Sequence, residues 1–259
     1  MDTVITAQIH RNDDRFGACY DLLYGEFGTA ELDTADRLRA SLNSADPAAP
    51  QGFLLARYAV HDGQPRWDDP VGVIAGDYLP LPGGGCIGAL GHLVASDRRR
   101  GAGHGAALVG AWERAVRQHA RRHRQRMRLL VLESRPTATT FWAQQGYRWV
   151  AGSEYRQPVI VSRSAQNHSD SQLVPELLMV KTPGTLADDV DTALIVEAVF
   201  TMYRHWYEPP CAGTRPDIWA RITAELWGRT FPAFLSSLPP APQCPITHPP
   251  SQHNAATAA

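Results

Sequence analysis

The 259 residues carry 25 basic and 26 acidic side chains and are 44% hydrophobic, which supplies a packed core and no overall charge that would select a nucleic acid or membrane surface. Arg98 to Arg128 nevertheless hold ten arginines against one acid, Glu113, and Lys181 is the sole lysine beside 24 arginines. Cys19, Cys86, Cys211 and Cys244 stand far apart and suggest neither a metal site nor a disulfide framework; with no long apolar run and no charged leader, the chain reads as soluble and cytoplasmic, with no membrane partner.

Thr3 to His10 alternates loosely enough for an opening strand with Val4, Ile5 and Ile9 available for burial. From Asp14, the residues Phe16, Cys19, Leu22 and Leu23 recur at helical spacing, and Leu32, Leu38 and Leu42 predict a second short helix between Glu31 and Leu42. The Ala- and Pro-rich run Ser44 to Gln51 is a loop. Gly52 to Val60 and Val71 to Leu79 read as strands joined through the polar HDGQPRWDD segment, and a third runs from Cys86 to Ala95 after the PLPGGG turn.

The stretch SDRRRGAGHG, Ser96 to Gly105, leads into a helix from Gly105 to about His123. Gly101, Gly103 and Gly105 remove side chains where strand turns into helix, leaving several backbone N–H groups uncovered. The helix dipole adds partial positive charge, so a pyrophosphate can be held there without a metal, rimmed by Arg98, Arg99, Arg100 and His104. An ordinary turn is the plain alternative. A P-loop is excluded because no Lys-Ser or Lys-Thr follows the glycines, and a dinucleotide fold because no βαβ unit with a following acid is present.

The helix itself places Leu108, Trp112, Ala115 and His119 on one face and Glu113, Arg117, Arg121 and Arg124 around the other. No aromatic residues are interleaved with these arginines, which argues against nucleic acid as a partner. Arg128 to Glu133 is a short apolar strand ending in an acid, followed by a helix that starts at Pro136 and stops before Gly146. A strand to Val150, another from Tyr155 to Val161, a polar loop Ser162 to Gln172 and a last strand Leu177 to Val180 complete this part. Asp188 to Tyr207 then reads as a helix with Val190, Leu194, Ala198, Met202 and Trp206 on one stripe. A second helix starts near Thr214 with Pro216 in its first turn and carries Ile218, Ile222 and Leu226, with Phe231 and Phe234 after it. So wide an apolar surface needs cover, either the core or a second subunit in a homodimer. Pro239 to Ala259 has the composition of a disordered tail.

The pattern Arg98-x-x-Gly101-x-Gly103, between an apolar strand and an amphipathic helix, resembles the acyl-CoA-binding motif of the GNAT acetyltransferase superfamily. Downstream, Ala138-x-x-Phe141-Trp142-x-x-x-Gly146-Tyr147 is similar to that superfamily's A-x-x-F-Y-x-x-x-G-F signature. The resemblance implies an α/β (α+β) fold with a mixed, mostly antiparallel central sheet, splayed parallel strands and flanking helices over residues 1–182, then a C-terminal helical extension, 183–238, and a tail, 239–259. It implies acetyl-CoA as cofactor, held by Leu93, Val94, Arg98, Arg99, Arg100, Gly101, Ala102, Gly103, His104 and Gly105, with the backbone near Leu93 and Val94 pairing the pantetheine arm as an added strand would. It also implies N-acetyl transfer to a small-molecule amine by direct attack, with the oxyanion leaning on the N–H near Val94. The early helices would form one wall of the acceptor site, which makes Tyr20, Tyr24, Glu26 and Phe27 candidate contacts.

Three residues are candidates for the proton chemistry. His92 has an imidazole that titrates near neutral pH, although a hydrogen-bonded strand histidine is the alternative. Glu133 ends a strand where parallel-sheet proteins place their chemistry, acting directly or through water, although a rim carboxylate paired to an arginine is the alternative. Tyr147 is a candidate proton donor because Trp142 fills the position of the family's tyrosine and an indole has no acidic proton to give. Arg135 stands where the family often carries asparagine. A CoA-binding module without chemistry, and an interaction domain working through the arginine helix, are the other readings.

Overall fold

The computed structural model describes residues 3–42, 46, 49–158, 173–184, 189–208, 220, 223–240 and 242–247. The chain forms two compact units, Met1–Pro80 with Gly84–Met127 and Leu81–Gly83 with Arg128–Ala259. The division falls inside the stretch that the sequence reads as one domain.

In the first unit, β1 (Val4–Ile9), β2 (Gln51–His61), β3 (Gln64–Pro80) and β4 (Cys86–Ala95) make an antiparallel meander. Asp62 and Gly63, at φ +50° and +76°, close the β2–β3 hairpin, the left-handed pair that a two-residue turn between right-twisted strands requires. Alternation along β3 sends Val73 and Ala75 into a core with Ile9, Leu54 and Tyr58 and with Phe16, Cys19 and Leu23 of α1 (Phe16–Glu31). The opposite face carries α3 (His104–Arg122), which follows the short α2 (Ala35–Ser41) in the chain. Trp112 of α3 is fully buried there, and a Cβ on Gly76 would stand 2.9 Å from its ring and 2.6 Å from the Ala89 carbonyl oxygen. Glycine at 76 is therefore a packing requirement. Leu108, Val109, Val116 and Ala120 complete the buried stripe. Glu113, which periodicity groups with the outward arginines, is buried and paired with Arg117 at 3.3 Å.

The helix expected from Glu31 to Leu42 is shorter than its apolar spacing suggests. Glu31 is the last residue of α1, and α2 starts only after Thr34, whose hydroxyl accepts from the Arg37 N–H.

The second unit contains β5 (Met127–Ser134), α4 (Thr139–Gln144), β6 (Arg148–Val150), β7 (Arg156–Pro158), β8 (Leu173–Pro175), β9 (Leu177–Lys181), β10 (Asp189–Asp191), α5 (Thr192–Met202), α6 (Phe231–Ser237) and β11 (Gln243–Thr247). The first residue of β5 belongs to the first unit. Its sheet runs β5-β9-β6-β11-β10 with antiparallel neighbours throughout, and β7 and β8 pair separately. Both units are mixed α/β, and the strand pairs described within each are antiparallel.

Three expectations are corrected here. Asp189–Asp191 is a strand, so the helix read from Asp188 begins at Thr192, with the Asp191 carboxylate accepting from the Ala193 N–H at 2.9 Å; a side chain that caps a helix cannot also lie inside it. Val190 therefore leaves the helical stripe, while Leu194, Ala198 and Met202 keep it. The stretch read as a disordered tail contains β11, in which Cys244 and Ile246 are buried by pairing with β10 and β6. A strand this short and proline-flanked has little local signal, and it is stabilised by the neighbours it finds in the sheet. Leu177–Lys181 is consequently not the last strand. The loop Ser162 to Gln172, the start of the helix near Thr214 with Ile218 and Ile222, and the tail beyond residue 247 lie outside the described residues. No helix among the described residues is long and apolar enough to cross a membrane.

Candidate functional site

After β4 the chain makes a single 3-10 turn, Asp97–Arg99, and enters α3 through Gly101 and Gly103 at φ +82° and +77°. Open space surrounds both glycines, so the left-handed backbone, not crowding, requires them. Gly103 is the residue capping α3, and having no side chain it makes no capping hydrogen bond to that end of the helix. The first helical bond runs from the Ala107 N–H to the Gly103 carbonyl at 3.1 Å, which leaves the amides of His104, Gly105 and Ala106 without intrahelical acceptors. Three amides and the positive end of a 19-residue helix thus converge where side chains are missing. The residues present fit a diphosphate.

The surrounding charges differ from the sequence expectation in one respect. Arg98 is exposed, Arg99 is half-buried, and Arg100 bridges Glu26 at 3.1 Å and Asp97 at 2.9 Å. His104 adds no positive charge: it is buried, and burial, with Arg57 and Arg99 nearby, holds its pKa below the ordinary value. Its Nδ1 has no hydrogen-bond partner among the described residues. Ala102 is exposed, and Gly105 is part of the first helical turn.

A register shift in β4 controls His92. Gly76 pairs with Leu90 and Ala75 with His92, so Gly91 is an extra residue bulged out of the ladder. A one-residue slip turns every following side chain to the other face, which sends His92 and Val94 toward α1 instead of α3. His92 Nε2 lies 2.9 Å from the Glu31 carbonyl oxygen, which can only accept, so Nε2 carries the proton. The ring meets Phe27 edge-on at 4.8 Å, and burial lowers its pKa. His92 is thus a neutral imidazole whose remaining lone pair is on Nδ1. Leu93 and Val94 pair with Ile74 and Val73, and Val94 is part of the core. Of the proposed acceptor contacts, Tyr20 donates to the Asp33 carbonyl at 3.0 Å, Glu26 holds Arg100, Phe27 packs on His92, and Tyr24 is exposed.

In the second unit the run Trp142 to Tyr147 has a structural origin. The Tyr147 N–H bonds the Trp142 carbonyl and the Gly146 N–H bonds the Ala143 carbonyl, both at 3.0 Å, with Gly146 at φ +84°. This is a Schellman end to α4, and its accompanying apolar contact is Trp142 against Tyr147, with ring centroids 5.7 Å apart. Tyr147 has no accessible surface, and the Lys181 ammonium lies 5.5 Å from its ring centre.

Glu133, near the end of β5, is held by two phenols. Tyr207 donates to Oε2 at 2.9 Å and to Oε1 at 3.1 Å, and Tyr155 also donates to Oε1. Burial pushes the carboxyl pKa up to about 7, while the tyrosine hydrogen bonds oppose the rise. Tyr155 and Tyr207 are buried, whereas Glu133 keeps part of its surface exposed. Among the described residues its hydrogen-bond partners are these two phenols, and no arginine pairs with it. Sequence reasoning reached Glu133 but neither tyrosine. Tyr155 stood in an expected strand and Tyr207 at the end of an expected helix, and no spacing links them to each other or to Glu133.

No protein-family model matches the sequence, and no curated relative matches it. Solved structures that the chain resembles do include acetyltransferases. One, a GNAT-family acetyltransferase from Bacteroides thetaiotaomicron, is 17% identical with a TM-score of 0.47, over 77% of this chain and 96% of that one. An aminoglycoside 6'-N-acetyltransferase complexed with coenzyme A is 19% identical with a TM-score of 0.46, over 69% and 96% of the two chains. A chain of the NatC complex bound to Gag peptide and CoA is 16% identical with a TM-score of 0.46, over 70% and 99%.

Proposed function

We propose that the chain is a GNAT-type, CoA-dependent N-acyltransferase that transfers an acyl group, by default acetyl, to a primary amine. The observation that carries this reading is the start of α3, where the glycine turn leaves the amides of His104, Gly105 and Ala106 without intrahelical acceptors a few residues after Arg98 and Arg99. The pair of sequence blocks around Gly101 and Gly146 supports it. These amides, with the backbone at Leu93 and Val94, are the groups that would hold the coenzyme; bound there, it supplies a thioester carbonyl open to nucleophilic attack.

The amine must lose a proton before it attacks. Glu133 is the base: with its pKa raised to about 7 it still holds a substantial carboxylate fraction near pH 7 and is more basic than an ordinary carboxylate, which suits that transfer. His92 is less suited, because its Nε2 proton is tied to the Glu31 carbonyl and its burial disfavours the imidazolium. A nitrogen–carbon bond forms as the carbon–sulfur bond breaks. Trp142 offers no acidic hydroxyl and Tyr147 is enclosed, so neither would supply the proton that a leaving thiolate needs.

Thiol release from acetyl-CoA across a panel of small amines, with calorimetry of coenzyme A alone, tests this. The expected result is saturable heat from coenzyme A and amine-dependent thiol release. Absence of both overturns the proposal. Ordinary CoA affinity with no turnover on any amine would favour a non-catalytic CoA-binding module, the second reading, which rests on Trp142 in place of a tyrosine.

A further inference from the structure

Three segments of the second unit converge on one carboxyl group. β5 supplies Glu133, the connection between β6 and β7 supplies Tyr155, and the turn after α5 supplies Tyr207. We propose that Tyr155 and Tyr207 are positioning residues for Glu133, holding its carboxyl in one orientation and tuning its basicity, so that the segment following α5 belongs to the acid–base machinery. The inference rests on Glu133 as the base and extends that reading to two residues that neither recognisable sequence block contains.

The backbone is shaped for this arrangement. After Met202 the helix widens into a π turn over Tyr203–Tyr207, closed by the Glu208 N–H on the Tyr203 carbonyl at 3.1 Å. Such turns are rare and interrupt a helix at a cost. Here the turn keeps Tyr203 and Tyr207 side by side, with ring centroids 5.8 Å apart. Tyr203 also packs on Tyr155 at 5.6 Å and donates its hydroxyl to the Arg156 carbonyl at 2.8 Å, which fixes the backbone beside Tyr155. Phe234 of α6 closes the other side of Tyr155 at 6.0 Å.

Among the described residues, the groups facing Glu133 are neutral donors. They are Tyr155 and Tyr207, with Tyr203 behind them and Gln157 reaching the Tyr207 hydroxyl. Its partner across the β5–β9 ladder is Leu178. An arginine in place of the phenols would hold the carboxylate ionised and make it a poor base; an apolar wall would keep it protonated. Two phenols give an intermediate result. They stabilise the carboxylate through both oxygens without supplying a full opposing charge, and their own pKa values lie well above 10 beside it, so neither competes for ionisation near neutral pH.

The test uses the full chain with carboxyl-13C glutamate, the Glu133 resonance being assigned by its absence in Glu133→Gln. In Tyr207→Phe a donor to the ionised form is lost, so the Glu133 midpoint should move upward by about one pH unit. The alkaline rise of kcat/KM for the amine should move with it, while the coenzyme A affinity stays unchanged. Tyr155→Phe should act in the same direction and provides the measurement if Tyr207→Phe does not fold. An unmoved Glu133 midpoint overturns the inference. So does a moved midpoint with an unmoved pH–rate profile, because the phenols would then be structural. If the wild type turns over no amine, the acyltransferase reading fails by itself, and the inference that these phenols serve a catalytic base fails with it even where the carboxyl midpoint moves.

Discussion

The glycine turn ahead of α3 and the carboxyl cluster around Glu133 are built on opposite plans. The first is made of backbone: Gly101 and Gly103 contribute by having no side chain, and the groups proposed to face a ligand are amides that every sequence possesses. The second is made of side chains, from residues 22 and 74 positions apart along the chain, and the properties of its carboxyl depend on enclosure. A backbone site is written locally, because one short stretch dictates both the turn and the helix start. A side-chain site exists only once the segments meet. The contrast teaches that the proposed binding element and the proposed proton-transfer group can be broken separately.

The largest effect should come from the carboxyl cluster. Glu133→Gln removes the proposed base while preserving shape, and kcat should fall about 10²- to 10⁴-fold with the heat of coenzyme A binding intact; loss of CoA binding in that variant would undo the comparison. Gly103→Val attacks the other plan. A β-branched residue at φ +77° is strained by about 1–3 kcal/mol and covers the amides, so coenzyme A should bind at least tenfold more weakly by calorimetry, while the Glu133 resonance titrates unchanged.

A smaller effect appears in stability against pH. The folded Glu133 binds its proton more tightly than the ordinary carboxyl at 4.5, with a pKa of about 7. Its contribution to stability is therefore complete below pH 4.5 and is lost as pH rises through 7. Melting temperatures measured from pH 4.5 to 8 should decline more steeply in the wild type than in Glu133→Gln, whose amide does not titrate; parallel curves would mean that the carboxyl is not enclosed. The smallest change is expected for Arg100→Ala. The pairs with Glu26 and Asp97 are solvent-exposed, so stability should move by less than about 1 kcal/mol and coenzyme A affinity by about two- to fivefold, weakening further as salt is raised.

Several elements could be read from the chain before folding. The strand Cys86 to Ala95, the helix beyond Gly103 and the run Trp142 to Tyr147 coincide with β4, α3 and α4 with its Schellman end, because each is specified by contacts a few residues apart. His92 shows where such reading stops. Its identity is local but its face is not, since the bulge at Gly91 is defined by the pairing of β4 with β3. His104 is similar: its position in the turn is legible, its neutrality follows from burial.

The amino-acid order by itself determined the glycine turn, the apolar stripe of α3 and the two spaced blocks that resemble an acyltransferase, since backbone sterics and helical periodicity act over a few residues. Only the tertiary structure decided that Asp189–Asp191 and Gln243–Thr247 would pair as strands, and that Tyr155 and Tyr207 would enclose Glu133. Strand pairing and the basicity of a carboxyl group depend on neighbours supplied from distant parts of the chain, and these are present only after the chain has folded.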